Sequence, residues 1–324
     1  MKKFEFDIKK IIFTLVLASI IFYFIFKGID FETVYFYLKG MNLFYFFIAF
    51  LIFYLSMIPR TLLWTTLIRI VKHDIPFKDM FYINFMSLFF NCIAPSKLGE
   101  VYKIWACSKY DISKSKNTLL FFIARILDVV SILILLLFSM FFLKISNQIF
   151  NNIIIICSIF ITAFTILLFS AVNSKKLFQL IFNLPLIKKY KEKAEEIRLD
   201  FKESLKLFKN PLSLISVFLI SFSVWIMEAL VFRFVNLSFN IRMSFLNTLF
   251  LSLMSALLTA VPITAGGLGA VELFLSIALP IFAISKELAA TVLLMFRVIV
   301  YWSMIIVGFF ISIFKNPFEF NKSS

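Results

Sequence analysis

The sequence predicts an all-α polytopic membrane protein, a helical bundle of about six full spans plus two re-entrant or broken-helix hairpins in an inverted repeat. Three observations carry this. Of 324 residues, 62% are apolar, only 16% are charged and 46 are Phe, more apolar surface than a water-soluble core can hide. The apolar residues fall into nine runs, at about 11–26, 41–58, 80–94, 118–143, 149–172, 212–232, 245–261, 269–284 and 288–314. Two short runs abut Pro/Gly interruptions that read alike. The composition excludes a soluble enzyme, a nucleic-acid-binding domain, a disordered tail and a disulfide-stapled secreted module. The formal charge of +15 fits Lys and Arg retained in cytoplasmic loops beside anionic lipid, not nucleic acid.

The run at 11–26 follows Lys2, Lys3, Lys9 and Lys10 and has no small-x-small cleavage site after it, so it reads as a retained first span. The second ends at Pro59-Arg60, with Arg60 placed to snorkel to the headgroups or to help hold a lipid phosphate there. The run at 80–94 is short, and the flanking stretches 59–79 and 95–117 are both basic. A single crossing would put one of them outside, whereas a hairpin returning to the cytoplasm satisfies both. With both termini cytoplasmic, 25 of the 33 Lys and Arg fall in inside loops, six in outside loops, and Arg125 and Arg297 within spans. The basic loop 173–211 contains an amphipathic helix over 186–209, with Ile187, Tyr190, Ala194, Ile197, Phe201, Leu205 and Phe208 at intervals of three and four. It either lies along the cytoplasmic interface or docks on the protein's own face. Cys92, Cys107 and Cys157 match no metal or redox spacing, and His73 is the single histidine, so no metal and no cofactor is expected.

The two broken regions define the repeat. One reads Asn91-Cys92-Ile93-Ala94-Pro95-Ser96-Lys97-Leu98-Gly99-Glu100, the other Val261-Pro262-Ile263-Thr264-Ala265-Gly266-Gly267-Leu268-Gly269-Ala270-Val271-Glu272. Each is Pro, then Gly, then Glu beside an apolar run. Glu100 precedes Arg125 by 25 residues and Glu272 precedes Arg297 by 25. The halves are 1–143 and 144–324 of a single membrane domain, and the charge count places them in opposite orientation. Inverted repeats with interrupted helices recur in transporters, and the interruptions point to the substrate site.

Arg125, Asp128, Glu228 and Arg297 lie within apolar runs, where a charge needs a partner or a wet cavity. Arg125 and Asp128 share a helix face at i, i+3, as an ion pair or as part of a site. Arg297 has no acid one turn away, so Glu272, Glu228 or an anionic ligand must partner it, and it is expected to be the stronger headgroup anchor. Gly266, Gly267 and Gly269 precede an apolar helix and suit either backbone amides turned toward a lipid phosphate or close helix packing. Glu272 disfavours an anion there unless it pairs with an arginine or takes up a proton.

The Asn-x-x-x-Pro-x-x-x-Gly-Glu stretch at 91–100 and the Pro-x-x-x-Gly-Gly-Leu-Gly-x-x-Glu stretch at 262–272, each followed by an Arg-bearing helix, resemble the lysylphosphatidylglycerol synthase transmembrane, or flippase-like, family. The resemblance covers roughly residues 10–315. The first motif is the looser one, with Ser96-Lys97-Leu98 where glycine is common in the family. The resemblance implies movement of lipids or lipid-linked headgroups between leaflets of a bacterial or archaeal cytoplasmic membrane. Bifunctional members add a soluble synthase domain. The last apolar run ends within ten residues of Ser324, so that domain, and with it aminoacyl transfer, is not expected. The leading expectation is a lipid translocase for an anionic phospholipid or lipid-linked headgroup. The alternatives are a membrane-embedded transferase on a lipid-linked substrate and a non-transporting partner of an envelope-lipid enzyme.

Overall fold

A computed structural model describes residues 23, 27–70, 74–94, 97–142, 155, 159, 199, 211–260 and 267–318. Apart from isolated positions, the predicted spans at 11–26 and 149–172 and the amphipathic helix 186–209 lie outside the described residues, as do His73, Pro95, Pro262 and Gly266. The described chain is all-helical: α1 (Phe31–Lys39), α2 (Leu43–Leu55), α3 (Met57–Ile70), α4 (Phe77–Ile93), α5 (Leu98–Cys107), α6 (Lys114–Phe142), α7 (Pro211–Ser238), α8 (Phe245–Ala260), α9 (Ala270–Ile281), α10 (Lys286–Arg297) and α11 (Ser303–Phe314). Four stretches among the described residues are long and apolar enough to span a bilayer: Leu43–Ile70, Lys116–Phe142, Ile215–Ser238 and Lys286–Phe314.

The first of these corrects the expected end of the second span at Pro59-Arg60. The helix breaks at Ser56, whose hydroxyl donates to Phe53 O at 2.6 Å. It resumes as α3 and runs to Ile70. Proline is tolerated in a first turn, where its missing N–H would be unpaired anyway. Pro59 is the third residue of α3, so it restarts the helix instead of stopping it. Arg60 is thereby ten residues from the helix end, about 15 Å along the axis, inside the span.

Side-chain caps set two other starts. Asp30 accepts from the Glu32 and Thr33 amides ahead of α1, and the Thr33 hydroxyl and Glu32 amide hold its carboxyl below the usual range. Asn42 does the same for Phe44 and Tyr45 of α2. The Asn42 amide also donates to Ser238 O at 2.7 Å, fastening the start of α2 to the end of α7.

Each short helix pairs with its neighbour across a break, α4 with α5 and α8 with α9. The long helices then interlock. α4 packs on α11, α8 packs on α6, and α2 and α3 pack on α7. Gly308 of α11 is the close-approach point with α4, because a Cβ there would lie 2.5 Å from the Phe89 ring. Between α10 and α11 the helix widens into a π turn over Val298–Trp302, directly after Arg297. Such turns are often found at functional sites.

Beyond α11 the chain binds back across the first hairpin. The Tyr82 hydroxyl of α4 donates to Lys315 O at 2.7 Å, and the Tyr102 hydroxyl of α5 donates to Pro317 O at 3.0 Å. The Phe318 ring lies against Phe90, Tyr102 and Trp105. Tyr102 is 1% exposed, so Tyr102→Phe leaves the Pro317 carbonyl without this donor. A loss of about 1 kcal/mol is expected, read as a lower thermal midpoint in detergent; an unchanged midpoint would show that the strap contributes nothing to holding the hairpin.

Candidate functional site

The charged side chains gather around a cavity to which both broken regions contribute lining residues. The short helix α5 starts beyond Lys97, whose backbone is left-handed (φ 55°). Its first turn is tied back to α4, with the Gly99 amide donating to Asn91 Oδ1 at 3.0 Å and Asn91 Nδ2 to Glu100 Oε1 at 3.4 Å. Glu100 then faces two cations, Lys103 Nζ at 3.4 Å and Arg125 Nη2 at 3.9 Å. Lys103 is 5% exposed and lies 4.4 Å over the Trp64 ring, an apolar wall that also stabilises a cation. Arg125 pairs more closely with Asp128, at 3.1 Å one turn along α6, and the Ser221 hydroxyl of α7 donates to Asp128 Oδ1 at 3.3 Å.

The second broken region is built more tightly. Gly267 and Gly269 both have positive φ, 71° and 90°, and a Cβ on Gly267 would come within 3.0 Å of Thr259 of α8. Glycine is needed there both for the turn and for the close approach. Glu272 accepts from the Gly269 amide at 2.7 Å, the reach-back half of a capping box. Its carboxylate also takes a two-point contact from Arg297, Nε at 2.7 Å and Nη2 at 3.0 Å. Arg297 Nη2 donates to Gly267 O at 3.1 Å as well. Glu272 is 0% exposed. Of the partners the sequence left open for Arg297, the structure selects Glu272, and the Gly269 amide is used within the turn.

The two Glu–Arg pairs spaced 25 residues apart are therefore both ion pairs in space, one close and bidentate, the other at 3.9 Å. The exposure of the two arginine side chains is opposite to their expected ranking as anchors: 41% for Arg125 and 7% for Arg297. Arg60 and Glu228 join α3 to α7 by a 2.6 Å contact, with the Arg60 guanidinium 5.8 Å from the Trp225 ring.

All of these except Glu272, Asp128's partner Ser221 and the glycines line one cavity of about 230 Å³ between the helices. Residues from α4 (Asn84, Asn91) and α8 (Ser252, Ser255) share its wall. Among its lining residues are five cations, Arg60, Lys97, Lys103, Arg125 and Arg297, and three carboxylates, Glu100, Asp128 and Glu228. Lys97, Lys103, Trp64 and Trp225 are not among the site residues expected from sequence. Lys103 at i+3 from Glu100 was a readable signal, but the two tryptophans contribute through tertiary contact and carry no local mark.

Apolar spans, two interrupted helices and a charged interior cavity define a polytopic membrane protein with its polar chemistry enclosed inside the bundle. The chain belongs to the family described as lysylphosphatidylglycerol synthase TM region, whose profile matches residues 11–308. It is similar to the UPF0104 membrane protein MJ1078 of Methanocaldococcus jannaschii, 35% identical over 230 residues covering 68% of this chain and 92% of the relative. UPF0104 membrane protein PH1989 of Pyrococcus horikoshii is 26% identical over 282 residues, 81% of this chain and 84% of its own.

Proposed function

We propose that this protein is a lipid translocase that moves an anionic phospholipid or lipid-linked headgroup between membrane leaflets. The cavity carries the reading: five cations against three carboxylates line it, inside a bundle whose outer surface is apolar. Charges at such depth are retained for a pathway or a site, and the cationic excess favours a phosphate. Arg125 is the main anchor, because its side chain is the most open of the three arginines that line the cavity and its Nε is without a hydrogen-bond partner among the described residues. Arg297 and Glu272 fix the second hairpin in place.

The reading includes an inverted repeat of the two halves, which two features support. The 25-residue Glu–Arg spacing recurs as an ion pair in each half. The packing is also reciprocal, the first broken helix of each half lying on the last span of the other, α4 on α11 and α8 on α6. Alternating access needs two such halves around one site.

Reconstitution into liposomes with a headgroup-labelled anionic lipid tests the function. The expected result is leaflet transfer above protein-free vesicles. A covalent product would make the protein a transferase, and neither outcome would leave it a partner of another enzyme. Orientation is tested separately: Ser113, exposed between α5 and α6, is placed in the cytoplasm by the Lys/Arg count. Ser113→Cys in a background without Cys92, Cys107 and Cys157 is expected to react with an impermeant reagent only after the cells are opened. Labelling in intact cells would rule out the first hairpin as a re-entrant segment.

A further inference from the structure

A phenol links the end of the first broken helix to the helix that clamps the second hairpin. Tyr301 of the π turn is 6% exposed, and its hydroxyl donates to Cys92 O at 2.8 Å. Cys92 is the penultimate residue of α4, in the last turn, where carbonyls lack a donor within the helix. The Ala94 amide closes that turn on Phe90 O, and Tyr301 serves Cys92 O from the other half of the chain. The Tyr301 ring also lies 5.8 Å from the Arg297 guanidinium, within cation–π range. Arg297 is itself fixed by Glu272 and by Gly267 O.

Beside Cys92 in the chain stands Asn91, which accepts from the Gly99 amide and donates to Glu100. Glu100 faces Lys103 and Arg125. A connected series of contacts therefore runs from the Arg297–Glu272 clamp through Tyr301, Cys92, Asn91 and Glu100 to Arg125. The link is one-sided: four residues after Arg125, where Tyr301 stands four after Arg297, the chain has Val129, with no hydroxyl to donate. We propose that Tyr301 is a positioning residue of the translocation site, setting the end of α4, and through Asn91 and Glu100 the Arg125 guanidinium, against the rigid clamp of the second hairpin. This rests on the translocase reading and adds what holds its anchor in place. The effect of Tyr301 on transport runs through Arg125, not through contact with the lipid.

Leaflet transfer of a headgroup-labelled anionic lipid in liposomes, and thermal midpoint in detergent, are measured for Tyr301→Phe, Tyr54→Phe, Arg125→Gln and the double variant Tyr301→Phe with Arg125→Gln. Tyr54→Phe is the control: it removes a hydroxyl that donates to Ser303 Oγ at 3.0 Å, outside the series. The two phenylalanine variants are expected to lower the midpoint by similar amounts. Only Tyr301→Phe should lose transfer, by about fivefold, the equivalent of one hydrogen bond. The double variant should transfer at the rate of Arg125→Gln alone, because both changes act on one series. Losses that multiply in the double variant would overturn the inference, as would wild-type transfer by Tyr301→Phe or equal losses in the two phenylalanine variants. A wild type that transfers no lipid would remove the translocase reading instead. The positioning role is then decided by titrating wild type and Tyr301→Phe in detergent with short-chain phosphatidic acid: weaker binding by the variant supports it, and equal binding or none overturns it.

Discussion

Glu272→Ala is expected to lower stability by about 3–5 kcal/mol, the largest effect of any single charge removal in this protein. The carboxylate is fully buried and takes three donors, the Gly269 amide and two nitrogens of Arg297. Its loss strands a guanidinium that is 7% exposed, together with a turn amide. Native stabilities are typically about 5–15 kcal/mol, so most of the margin would go. The measurement is folded yield and thermal midpoint in detergent. Glu272→Leu combined with Arg297→Met should recover part of the loss, because a buried pair replaced by apolar groups is tolerated better than a broken one. A single variant that melts with the wild type would show that the pair does not hold the second hairpin.

Gly99→Ala should be nearly as damaging, at about 3 kcal/mol. A Cβ there would lie 1.8 Å from Ser87 O and 2.8 Å from the Asn91 side chain, so α4 and α5 would have to separate. That separation breaks the Asn91 contact to the Gly99 amide and shifts Glu100 away from Lys103 and Arg125. Gly40→Ala is the control, since its nearest neighbour is Phe36 O at 3.6 Å, and it should be near neutral. If the two alanine variants melt alike, the first hairpin is looser than its packing indicates.

The fold class was legible because hydropathy is a local property. The runs at 118–143, 212–232 and 288–314 correspond to the spans Lys116–Phe142, Ile215–Ser238 and Lys286–Phe314. Interruptions were legible too, because Pro and Gly act on the backbone at their own positions. The end of the second span was misplaced for the same reason in reverse. Pro59-Arg60 looks like a terminus in sequence, yet proline near a helix start is compatible with continuation and Glu228 supplies the counter-charge. Of the site, the matched Glu–Arg spacing was visible and the division of labour was not. Whether Arg125 or Arg297 is committed to its acid depends on turn geometry at Gly267 and Gly269 against Lys97 and Gly99. The π turn after Arg297 and the strap at Phe318 arise from contacts between distant segments and leave no periodic signature.

That division of labour is tested most directly by measuring leaflet transfer and thermal midpoint together for Arg125→Gln and Arg297→Gln in reconstituted protein. Arg125→Gln should stay folded and lose about tenfold or more in transfer rate, since it removes charge-assisted contacts to a phosphate. Arg297→Gln should show its defect as a fall in midpoint and yield. Transfer at the wild-type rate by Arg125→Gln, or a stable Arg297→Gln protein that no longer moves lipid, would contradict the assignment of the cavity to Arg125 and of the clamp to Arg297.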